Sequence, residues 1–117
     1  MLTIDSLRDY GANVEEGLTR CMNMEPFYLK IVGMVKDDVD GSFAKLKAAV
    51  SERDVAKTFE AAHALKGSTG NVGLTPIFKP VCALSDMLKG NTDKDMGPEC
   101  DRLAGEVFEQ YDRLKAL

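Results

Sequence analysis

The sequence predicts an all-α protein: an antiparallel up-down four-helix bundle with an additional short N-terminal helix. Two observations carry this expectation. Apolar residues recur at three- and four-residue spacing along most of the chain, while the two-residue alternation of a half-buried strand is scarce. Helix start and stop residues divide that pattern into four long segments with short connections, which favours antiparallel neighbours around one core. With 117 residues the chain has the length of a single domain, 1–117, able to close a core without metals or disulfides.

The elements follow in order. A short helix is expected over about Ile4 to Tyr10, stopped by Gly11. Asn13 with Glu16 three residues on gives a capping-box pattern for a second segment to about Met22. Pro26 suits the first turn of the next helix. Its apolar positions Phe27, Ile31, Met34, Val35, Val39, Phe43, Leu46 and Val50 are assigned to one buried stripe, with room for a bend near Asp40-Gly41. Ser51 and Asp54 mark the start of a helix through Phe59, Leu65 and Val72 that ends near Gly73. Thr75-Pro76 reads as a cap followed by the first helical residue of a helix through Val81, Leu84 and Leu88, stopping at Gly90-Asn91. After a loop from Gly90 to about Asp95, Pro98 places the first turn of the last helix near Gly97, ahead of Leu103, Val107, Tyr111 and Leu114.

Composition excludes several functions. The net charge of −4, with acids interleaved among the lysines and arginines, argues against a nucleic-acid partner. The longest apolar runs fall well short of the roughly 20 residues of a membrane helix, so no membrane insertion is expected. The start Met1-Leu2-Thr3-Ile4-Asp5 lacks the basic region of a signal peptide, which makes the expected location cytoplasmic. Cys21, Cys82 and Cys100 are widely spaced and form no Cys-x-x-Cys pair, so they are expected to be free thiols and no metal site is expected. Asp37, Asp38 and Asp40 lack the ordered spacing of a cation loop. Met22, Met24, Met34, Met87 and Met96 are assigned to core and loop packing.

His63 is the sole histidine, and its helix can be read by face. With residues about 100° apart, Thr58, Ala61, Ala62, Leu65, Thr69 and Val72 form a continuous stripe suited to burial, and His63 lies opposite. Ala56, Lys66, Gly67 and Gly70 share its side, leaving the surface around the ring bare. Two glycines inside one helix cost about 1 kcal/mol each relative to alanine, which calls for a compensating use. Either they let another backbone approach His63, with Lys66 at i+3 able to neutralise an anion on the imidazole, or they loosen a helix beside an ordinary exposed histidine. Phe59, the one bulky apolar residue near His63, either belongs to a docking patch or tucks under the N-terminal helix.

The run Ala61-Ala62-His63-Ala64-Leu65-Lys66-Gly67, followed by Asn71-Val72-Gly73-Leu74, resembles the signature of histidine-containing phosphotransfer (HPt) domains, H-x-L-K-G with a further glycine six residues on. Helix order and length resemble that family from about Asn13 to the C-terminus. The resemblance implies a phosphoryl carrier of a two-component phosphorelay with no turnover of its own. His63 then shuttles the group between aspartates of response-regulator receiver domains, downstream of a hybrid sensor histidine kinase. It implies that Lys66 steadies the phosphoryl group and that Gly67 leaves room for the receiver, with Phe59 and Gly70 on the same docking face. Ser85 and Lys89, expected on that docking face too, fall where members often carry Gln or Glu and Arg, so a shorter hydroxyl and an ammonium replace longer or forked groups. The chain needs no cofactor in this scheme, since the magnesium ion belongs to the receiver. Two alternatives are the phosphoacceptor domain of a chemotaxis-type histidine kinase and a helical adaptor that is not phosphorylated. A monomer is the expected state.

Overall fold

Six helices and no strand occupy the described part of the chain in a computed structural model, which covers residues 2–89 and 97–117. The short helix α1 (Ile4–Tyr10) is closed by a reciprocal box between Thr3 and Ser6 and ends at Gly11, whose φ of 106° few other residues adopt. In α2 (Val14–Arg20), Asn13 Oδ1 accepts from the Glu16 amide at 3.2 Å, as its spacing predicts. The Asn13 side-chain amide donates back to Glu16 Oε2 at 3.0 Å, but its backbone amide does not. The backbone amide donates to Gly73 O at 2.7 Å and ties α2 to the turn between the helices Val55–Asn71 and Thr75–Leu88.

Four long helices form the bundle: α3 (Glu25–Ser51), α4 (Val55–Asn71), α5 (Thr75–Leu88) and α6 (Gly97–Lys115). Each packs on the next, and α6 closes the ring on α3. Leu46, Leu65, Val81, Leu84, Val107 and Leu114 are fully buried between them. Phe43 stacks on Tyr111 with ring centroids 3.7 Å apart, fixing α3 against α6. The hydroxyls of Thr58 and Thr69 donate to Asp54 O and Leu65 O, both at 2.7 Å, so the buried stripe of α4 leaves no hydroxyl unsatisfied.

Several boundaries differ from the sequence expectation. Ser51 ends α3 rather than opening α4. Arg53, left-handed at φ 56°, turns the chain, and Asp54 caps α4 by accepting from the Lys57 amide at 3.0 Å. Thr75 is already helical in α5 and is not its cap; its hydroxyl donates to Gly73 O. α3 runs unbroken through Asp40 and Gly41, and α5 continues through the buried Pro80. The expected loop from Gly90 to Asp95 lies outside the described residues.

The first half of the α3 stripe is also corrected. Tyr28 and Val32 are buried, whereas Phe27 and Met34 stand about half exposed and Ile31 and Val35 are only partly covered. The apolar band is broad there, and packing rather than periodicity selects the inward face. Tyr28 wins because Gly17 of α2 leaves a notch for its ring, and its hydroxyl donates to Val72 O at 2.9 Å. Met22 and Met24 are likewise exposed, so these two and Met34 are surface residues rather than packing, while Met87 packs against the core.

Candidate functional site

The side of α4 opposite its buried stripe carries the candidate site. Thr58, Ala61, Ala62, Leu65 and Thr69 face the core together with Val72, and His63 is exposed on the other side. The Phe59 ring stacks on the imidazole at a centroid separation of 5.8 Å and an interplanar angle of 23°. This contact leans His63 toward the N-terminus of α4, the direction in which helical side chains tilt. Phe59 itself packs partly on the core near the start of α4, whereas α1 is held at the other end, where Tyr10 Oη donates to Gln110 O. Phe59 therefore supports the histidine and does not sit under the N-terminal helix. Among the described residues no hydrogen bond or ion pair engages the His63 ring.

Beyond the imidazole a cavity of about 390 Å³ runs along α4 toward its C-terminus. Gly67 and Gly70 form its floor, Glu16 and Arg20 of α2 one wall, and Thr75 and Phe78 of α5 the other, with His63 and Lys66 at its head. The two glycines differ in kind. A Cβ on Gly67 would meet nothing within 4 Å, so the space above it is open. A Cβ on Gly70 would lie 2.8 Å from Cε2 of Phe78, so this glycine serves internal packing of α5 on α4. The expectation that Gly70 makes room for a partner is thereby replaced by a reason within the fold.

Lys66 follows His63 by three residues and is half-buried between α4 and α5. Burial pushes the Cys82 thiol up, and the Lys66 ammonium pulls it partly back, which places that charge beside α5. Ser85 was expected on the docking face and is not there. It is 3% exposed, on the α5 stripe shared with Val81, Leu84 and Leu88, where a partner cannot touch it. Lys89 is exposed at the end of α5 and, like Phe59 and Ser85, does not line the cavity. The three cysteines are free thiols, Cys21 and Cys100 buried. Among the described residues no group of three His, Cys, Asp or Glu side chains is placed to hold a metal ion, and no helix is long and apolar enough to cross a membrane.

Sequence reasoning did not find Arg20, Phe78 or the Tyr28–Gly17 contact. Gly17 inside the otherwise regular segment Val14–Arg20 was the available signal, since an interior glycine costs helix stability unless something fills its place.

His63 is thus an exposed histidine at mid-helix on a four-helix bundle, with Lys66 one turn on and the bare Gly67 beyond. The Hpt domain family matches residues 30–116, most of the chain, and the protein belongs to that family. Its members are phosphocarrier modules of two-component signalling that interact with response-regulator receivers and kinases. Comparison with curated proteins and with solved structures gives no match.

Proposed function

We propose that this chain carries a phosphoryl group on His63 between aspartates of response-regulator receiver domains, fed by a hybrid sensor histidine kinase in the cytoplasm. The observation that supports the reading most is the placement of His63: exposed, opposite the core stripe of α4, with open space over Gly67 one turn on. An imidazole nitrogen with a free lone pair attacks the phosphorus of an aspartyl phosphate on the receiver. The N–P bond forms as the P–O bond to the aspartate breaks, the carboxylate leaves with the electron pair, and the proton on the other ring nitrogen equilibrates with water. Transfer to the next receiver reverses these steps.

Such transfer depends on positioning and charge stabilisation more than on covalent chemistry supplied by the protein. Phe59 holds the ring plane, Lys66 supplies positive charge for the phosphoryl oxygens, and Gly67 leaves room for the receiver, which brings the magnesium ion. Lys89 extends the positive surface at the end of α5. The chain on its own then has no turnover.

The test is to mix the purified chain with phosphorylated receiver domains and follow label on the chain, checking that it is acid-labile and alkali-stable. Transfer that disappears in His63→Gln is expected. No transfer from any receiver, or label that survives in His63→Gln, overturns the reading and leaves a non-phosphorylated adaptor.

A further inference from the structure

We propose that Arg20 is a docking residue that reads an acidic side chain of the incoming receiver, so that α2 contributes to partner choice. The proposal rests on the phosphotransfer reading above. Arg20 lies outside the segment matched by the family, 30–116.

α2 is fastened to the site end of the bundle at three points. The Asn13 amide donates to Gly73 O at 2.7 Å, the Tyr28 ring fills the notch at Gly17, and Arg20 Nη1 donates to Gly70 O at 3.1 Å. The first bond is tight: Gly73 is left-handed at φ 72°, and a Cβ there would stand 2.5 Å from Asn13 O. Arg20 is thus delivered to the cavity wall by a rigid frame.

Its guanidinium also bonds Glu16 through Nη2 at 2.8 Å, so among the described residues two of its five N–H groups are used and three remain. The side chain is 49% exposed and lines the cavity. Lys66 and Arg20 give the cavity two cations, and among the described residues its one carboxylate, Glu16, is already paired with Arg20. A planar fork with free donors fits a carboxylate.

Arg20 does not reach the phosphoryl group. Gly70 lies seven residues past His63, roughly 10 Å along the helix, and the imidazole leans the other way onto Phe59. Lys66 is the nearer cation. A receiver docked on His63 covers the cavity, and a side chain on its rim meets Arg20.

The test uses the full chain and a receiver domain with which the wild type exchanges a phosphoryl group. Arg20→Gln is expected to raise the half-saturating receiver concentration roughly fivefold, and Arg20→Glu further, while the limiting rate stays within about twofold. The wild-type value should rise with salt more steeply than that of Arg20→Gln. Arg20→Lys, which keeps the charge, should recover most of the loss and guards against a purely structural effect of losing the bond to Gly70 O. Unchanged half-saturation in both Gln and Glu variants overturns the proposal. So does an equal fall in labelling of His63 by phosphoramidate, a small donor that needs no docking. Failure of the wild type to accept phosphate from any receiver would instead overturn the phosphotransfer reading.

Discussion

Replacing Gly67 and Gly70 in turn by alanine should move stability in opposite directions, although the two lie three residues apart on the same helix. Alanine in a helix interior is favoured over glycine by about 1 kcal/mol. At Gly67 the new methyl meets nothing within 4 Å, so that gain is kept. At Gly70 the methyl would stand 2.8 Å from Cε2 and 3.2 Å from Cδ2 of Phe78, and the ring must give way. Overpacking of this kind costs about 1–3 kcal/mol, which outweighs the propensity gain over all but the low end of that range. The propensity gain is common to both, so the two variants should differ by the overpacking cost, about 1–3 kcal/mol. At about 4 °C per kcal/mol for a domain of this length, that is roughly 4–12 °C in Tm. Thermal unfolding followed by circular dichroism reads the difference directly. Equal shifts of the same sign would refute the distinction between an open glycine and a packing one. Transfer adds a second readout: Gly67→Leu should keep its helicity yet block receiver-driven labelling, because its side chain fills the docking space.

Three further outcomes follow from the same contacts. Gly17→Ala should destabilise by about 1–3 kcal/mol despite alanine's helix preference, because its Cβ would overlap Cε1 of Tyr28 and stand 2.7 Å from Cζ; Gly105→Ala in α6, with nothing within 4 Å, should gain up to about 1 kcal/mol, and a gain in both would contradict the notch. Burial, reinforced by Cys21 and Glu15, pushes the Tyr28 phenol up to about 12, while an unfolded tyrosine ionises near 10. Stability should thus be full below about pH 10 and fall toward pH 12, with a shallower fall in Tyr28→Phe measured by urea unfolding at each pH. Arg53 donates to both carboxylate oxygens of Asp101, at 2.6 and 2.9 Å, and holds that carboxyl below its ordinary range. Its contribution is present above about pH 4 and lost as pH falls, so Asp101→Asn should lose less stability on acidification than the wild type.

The helical class, the placement of His63 and the buried face of α4 were legible because each depends on periodicity and local caps along one segment. The inward face of α3 was not, since Phe27, Tyr28, Ile31 and Val32 are all apolar and only the notch at Gly17 decides among them. Ser85 was misplaced for a related reason: a position aligned to a family pattern says nothing of which way an α5 side chain points, and here it joins the core stripe. Gly70 was given a role in access because two glycines beside one histidine look alike in sequence, and only Phe78 from another helix separates them. Arg20 was missed because its partners, Gly70 O and the cavity, lie about 50 residues away along the chain.

The central claim is tested most directly by incubating the chain with phosphorylated receiver domains and mapping the label by mass spectrometry under alkaline conditions. A single phosphorylated residue at His63, absent in His63→Gln, is the predicted result. Label at any other residue, or none from any receiver, would contradict it.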